Sequence, residues 1–164
     1  MQSRIKSSGL FIFCTLVAAI SPIWAVEKDV FVSADLNVGL TESQSDSTQM
    51  PIGGRLGLAY GFNENTELVA HIIGNNSQSA GLTVGTLYTQ PLGDFRPAFG
   101  FNFGVMSLKD DKQLRKNYAM VEGEIRGLVE LSGELRAYVG YAPALIFRSG
   151  FDQSVRLGIQ WRLK

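Results

Sequence analysis

Val155-Arg156-Leu157-Gly158-Ile159-Gln160-Trp161-Arg162-Leu163-Lys164 closes the chain, and the upstream sequence makes most sense when compared with it. Val155, Leu157, Ile159, Trp161 and Leu163 fall on one parity, Arg156, Gly158, Gln160, Arg162 and Lys164 on the other. Side chains of a strand alternate between faces with a period of two, so this segment is a strand with one apolar and one polar face. Such a strand suits the edge of a soluble β-protein and the wall of a barrel equally well.

The same alternation recurs upstream. In strand seven Leu135, Ala137, Val139 and Tyr141 oppose Arg136, Tyr138 and Gly140; in strand six, about 118–130, Val121, Ile125 and Val129 oppose Glu122, Glu124, Arg126 and Glu130. Strand five is the clearest: Phe95, Pro97, Phe99, Phe101, Phe103 and Val105 interleave with Arg96, Ala98, Gly100, Asn102 and Gly104. Strand four carries Leu82, Val84, Thr86 and Tyr88 opposite Gly81, Thr83, Gly85 and Thr89. Strand three, about 67–74, is the least patterned, because Val69 and Ile73 share a face with Glu67 and His71. In strand two Ile52, Leu56, Leu58, Tyr60 and Phe62 oppose Gly53, Arg55, Gly57, Ala59 and Gly61, and in strand one Val30, Val32, Ala34, Leu36, Val38 and Leu40 oppose Ser33, Asp35, Asn37 and Gly39.

Polar or turn-forming stretches separate these runs. Tight turns are expected at 63–66, 91–94 and 131–133. Longer loops are expected at 42–49, 109–116 and 143–152, with a shorter one at 75–79. Long loops at one end and short turns at the other is the asymmetry of an outer-membrane barrel.

A soluble barrel would also alternate, but its polar parity would face water. Here that parity holds Gly39, Gly53, Gly57, Gly61, Gly85, Gly100, Gly104, Gly140 and Gly158, and glycine is a poor choice for a solvated strand. Inside a narrow eight-stranded barrel small residues make room for long charged ones. Asp35, Arg55, Arg96, Glu122, Glu124, Arg126, Arg136 and Arg156 share the glycine parity, and an internal ion-pair network is predicted from them. Phe62, Tyr88, Phe95 and Trp161 lie on the apolar parity beside the short turns, where an aromatic girdle belongs; Tyr141, Phe147 and Phe151 are candidates for the girdle at the other end. The expectation is an all-β fold: an eight-stranded antiparallel up-and-down transmembrane β-barrel.

At the other terminus, Arg4 and Lys6 precede an apolar run from Gly9 to Ile20, then Ser21-Pro22 and Ala25. This pattern reads as a cleaved signal peptide, 1–25, too short to span a bilayer, followed by a single barrel domain, 26–164. Cys14 lies within the removed segment, so disulfides and thiolate chemistry are not expected. Arg4 and Lys6 leave with it, so 13 basic residues remain against 15 acidic ones, a formal charge of −2 that gives no sign of nucleic-acid binding.

Arg156, Gly158, Trp161 and Leu163 together resemble the C-terminal β-signal by which bacterial outer-membrane barrels are recognised for assembly, although the family usually ends on an aromatic residue and this chain ends on Lys164. The whole is similar in architecture to small barrels of the OmpX and OmpA transmembrane-domain type. Tyr141-Ala142-Pro143 and Gly158-Ile159-Gln160-Trp161-Arg162 also resemble YfaZ-like outer-membrane proteins. The resemblance implies a monomer in the cell outer membrane, inserted by the barrel assembly machinery and in contact with outer-membrane lipids and lipopolysaccharide.

Some barrels of this size modify lipid A, which requires a catalytic group. The single histidine, His71, lacks a serine two residues on; Ser77, Ser79 and Glu67 are the nearest candidate partners for a triad. A lumen-facing or interfacial polar role is the preferred reading of His71, with a lipid-modifying enzyme as the alternative. Asp110, Asp111, Glu42 and Asp46 suit hard cations but read as solvated loops; Lys109, Lys112, Arg115 and Lys116 suit lipopolysaccharide phosphates. No catalytic site, metal or cofactor is expected. The function expected is structural or surface-interacting, with a lumen plugged by charges and no general porin activity; a narrow ion-conducting pore is a further alternative.

Overall fold

Alternating sequences of this kind can satisfy every backbone group in a bilayer only by closing on themselves. In a computed structural model, which describes residues 29–40, 51–76, 79–90, 92, 95–109 and 114–163, they do so. The expected signal peptide, with Cys14, and the loop residues Glu42, Asp46, Ser77, Asp110, Asp111 and Lys112 lie outside the described residues. Eight strands, β1 (Val30–Gly39), β2 (Ile52–Asn63), β3 (Thr66–Asn75), β4 (Ala80–Thr89), β5 (Phe95–Lys109), β6 (Arg115–Glu130), β7 (Leu135–Ile146) and β8 (Gly150–Leu163), pair in sequence order. The barrel closes through an antiparallel β1–β8 ladder running from Val30↔Leu163 to Gly39↔Ser154.

Following the register round the wall from Phe31 leads through Ala59, Val69, Gly85, Asn102, Glu122 and Ala144 to Asp152. Phe31 itself pairs with Arg162, ten positions further along β8. That offset is the stagger of the barrel, and it goes with strands tilted by roughly 35–45° to the axis.

The outer wall is apolar. Leu36, Leu56, Ile72 and Leu157 are each 64–65% exposed at mid-strand, and Phe99, Phe101, Phe103, Val139 and Ile159 continue the surface. A soluble monomer seldom exposes more than a few hundred Å² of contiguous apolar surface, so this belt requires a lipid solvent. Phe62, Tyr88, Phe95 and Trp161 rim it at the turn end; Phe147 and Phe151 rim it at the loop end.

Strand extends into two of the expected loops. β5 and β6 run on to the pair Lys109↔Arg115, so Lys109, Arg115 and Lys116, expected in a loop at 109–116, belong to the ladder. Above the lipid belt a ladder stands in water, where charged side chains cost nothing, and loss of apolar alternation there does not mean loss of strand. β7 likewise continues through Pro143 to Ile146, and the long loop expected at 143–152 is replaced by a turn at 147–149. Pro143 lacks the N–H that would face β6, and the β6–β7 ladder is interrupted there, between Glu122↔Ala144 and Ile125↔Tyr141. The turn is closed by Arg148 at φ 69° and Gly150 at φ 125°, with Ser149 N–H donating to the Ile146 carbonyl at 3.0 Å. The contrast between long loops and short turns is therefore weaker than the sequence implied.

Candidate functional site

What a barrel of this width can do depends on what fills it. The inward residues form three layers along the axis. At the turn end Phe31, Ala59, Val69, Leu87, Ala98, Leu128 and Tyr138 make one apolar cluster. At the loop end Ile73, Met106, Met120, Ala144 and Ile146 make another, with Leu108 and Tyr118 against it. Between them lies the charge.

Arg55 organises the charged layer. Its Nε donates to Asp35 Oδ2 at 2.8 Å, and its Nη1 and Nη2 donate to Glu124 at 3.2 and 2.9 Å. Glu124 also accepts from Arg126 Nε at 2.6 Å and lies 3.2 Å from Arg156 Nη1. Arg156 donates to both oxygens of Glu122, at 2.9 and 2.5 Å, and Asn102 Nδ2 donates to Glu122 at 3.1 Å. Tyr138 hydroxyl donates to Asp35 Oδ2 at 2.6 Å while its ring receives the Arg126 guanidinium at 4.5 Å. Three guanidinium groups thus face three carboxylates, and the layer is neutral. Burying charges is tolerable only when partners and hydrogen bonds are supplied in this way.

Glycines make the layer possible. A Cβ on Gly158 would stand 2.6 Å from Tyr138 Cζ and from Asp35 Cβ, and one on Gly57 would stand 2.4 Å from the His71 ring.

Of the eight charges predicted to meet in the lumen, Asp35, Arg55, Glu122, Glu124, Arg126 and Arg156 come together. Arg136 forms a second, smaller pair nearer the turn end, with Glu67 at 3.2 Å, and its guanidinium lies 4.6 Å from the centre of the Phe31 ring. Gln160 Nε2 completes that group by donating to Glu67 at 2.9 Å. Arg96 belongs to neither, because it lies near the turn-end opening of β5, partly exposed, and pairs with Glu130 at 2.9 Å. The apolar residues on the inner parity are the larger departure. Phe31, Leu87, Leu128, Met106 and Met120 fill space that was expected to hold charge.

Among the β-signal residues, Arg156 and Gly158 point inward into the charged layer while Trp161 and Leu163 face outward at the turn end. His71 faces the lumen and is 2% exposed, with Thr83 Oγ1 3.5 Å from its Nδ1. Glu67, its candidate acidic partner, is taken up by Arg136 and Gln160. The Ser79 amide donates to Asn75 Oδ1, and Ser77 is outside the described residues. No group of three or more His, Cys, Asp or Glu with metal-holding geometry occurs among the described residues. One cation went unnoticed in the sequence. Arg148, in the β7–β8 turn, had no periodic pattern to mark it.

No family model and no curated protein matches the chain. Solved structures do. The chain is similar to the N-terminal β-barrel domain of Pseudomonas aeruginosa OprF (13% identity, 82% of this chain and 97% of that one, TM-score 0.67). It is also similar to Neisserial surface protein A (11% identity, 82% and 97%, TM-score 0.61) and to the outer membrane enzyme PagL (14% identity, 81% and 99%, TM-score 0.58). Identities this low make the likeness one of fold. The fold is that of the small eight-stranded outer-membrane β-barrels, which supports an outer-membrane location. It includes an enzyme, so fold alone does not choose the function.

Proposed function

We propose that this protein is a structural or surface-interacting barrel of the bacterial outer membrane, without enzymatic activity, whose lumen carries no general diffusion. In this reading it is exported by the signal peptide 1–25 and inserted as a monomer by the assembly machinery through Arg156, Gly158, Trp161 and Leu163. The observation that carries the proposal is the dense filling of the lumen, with an apolar cluster toward each end, a neutral ion-pair layer between them and the Arg136–Glu67 pair nearer the turn end. A porin of 16–18 strands leaves an aqueous channel, whereas side chains can fill the space within eight. Planar-bilayer recording of the purified monomer tests it. At most brief, small openings are expected; a steady conductance of porin size would overturn it.

A further inference from the structure

The ladder between β6 and β7 stops short of the end of β6. Its last pair is Met120↔Ile146, yet β6 runs on as far as Arg115. Past that pair Phe147 N–H donates to the Ala119 carbonyl at 2.9 Å, so the odd-numbered residues of β6 turn their backbone groups toward this side. The amide N–H groups of Asn117 and Arg115 therefore point the same way, and no strand of the described residues pairs with them there.

Alongside this edge is a groove of about 430 Å³ lined by Lys116, Asn117, Tyr118, Ala119, Phe147 and Arg148. It lies just beyond Val121↔Leu145, the last outward-facing pair of the β6–β7 ladder. Phe147 and Phe151, both about half exposed, put the interface at this level.

We infer that this groove binds the phosphate of a lipid headgroup in the outer leaflet, with Arg148 as its principal donor. Arg148 and the backbone amides of the β6 edge meet at the depth where lipid phosphates lie, beside the apolar belt. A guanidinium matches phosphate oxygens in pairs, and a sheet edge adds oriented N–H dipoles. Arg148 is held by its positive-φ turn at the groove wall, and no described residue forms an ion pair with it. An acidic peptide added to the β6 edge would meet the same amides, but it would not need the apolar belt beside them. Lipid is the occupant the position favours.

The inference rests on the outer-membrane reading but not on the closed lumen, so the conductance assay and the following one fail independently. Refolded full-length protein in detergent is mixed with bisphosphorylated lipid A or with its dephosphorylated form, and retained lipid is counted by native mass spectrometry. Wild type is expected to retain the phosphorylated form selectively. Arg148→Gln should lower its retention roughly tenfold, the loss of one charge-assisted contact. Arg96→Gln, at the opposite end of the barrel, should leave retention unchanged, and all variants should keep heat-modifiable gel mobility. Equal retention of both lipids, an unaltered Arg148→Gln, displacement by inorganic phosphate at equal concentration, or preference for an acidic peptide over lipid would each overturn the proposal.

Discussion

Arg55 on β2 holds Glu124 on β6 from the opposite side of the barrel, its two terminal nitrogens donating to the carboxylate at 3.2 and 2.9 Å. These strands are as far apart round the wall as eight strands allow, so the pair is a strut across the lumen. Replacing Arg55 by Leu would leave Asp35 and Glu124 buried with one partner fewer. Removing one member of a buried pair costs about 3–5 kcal/mol. A fall of that size is expected in denaturant unfolding of the refolded barrel; a change under about 1 kcal/mol would show that the strut carries little.

Substituting Glu122 and Glu124 together by Gln separates stability from permeability. Arg156 and Arg126 would lose their carboxylates and Arg55 would keep only Asp35, so the barrel should unfold at clearly lower denaturant concentration. Conductance should stay near the wild-type level, because the layer of Phe31, Leu87 and Leu128 below remains in place. A double variant that opens a steady channel would place the seal in the ion pairs alone.

Gly158→Ala is expected to destabilise the barrel even when it is refolded without any assembly machinery. The new methyl group would press on Tyr138 and Asp35, and overpacking of this kind costs about 1–3 kcal/mol. Gly133→Ala, in the turn before β7, meets nothing within 4 Å and serves as the control. If both variants refold with wild-type stability, the glycine matters for recognition and not for packing.

Phe101→Arg should cost roughly 2–4 kcal/mol, the penalty for a cation facing lipid near mid-bilayer, while Phe101→Leu should be nearly silent. Folding titrations in lipid vesicles give both numbers. Equal tolerance of the two would contradict the outward orientation of Phe101, which is 48% exposed and packs edge-on against Phe103 at 4.6 Å.

These expectations divide according to how legible each part of the chain is. The outer face of β5 could be read directly, because lipid strongly disfavours charged groups and Phe95, Pro97, Phe99, Phe101 and Phe103 therefore keep to one parity. The inner face obeys a weaker rule: anything that packs and finds its partners is admitted, so Leu87 and Leu128 hide on a parity that also carries Arg126. Strand ends in water obey no hydropathy rule at all, which is why Lys109 and Arg115 resembled a loop and Arg148 passed unnoticed. Glu124 was visible as a lumen charge, but that three arginines converge on it depends on the stagger between strands, which no local pattern encodes.

The ladder from Val30↔Leu163 to Gly39↔Ser154 makes the wall a ring, and a ring has no first member. Val30 and Leu163 sit side by side, so a short linker could splice them and the chain could instead be severed at the exposed turn 131–134. β7 would then lead and β6 would finish, with each strand keeping both neighbours. A circularly rearranged gene of this kind should encode the same barrel, since the order in which the staves are laid is a property of the reading frame and not of the finished cask.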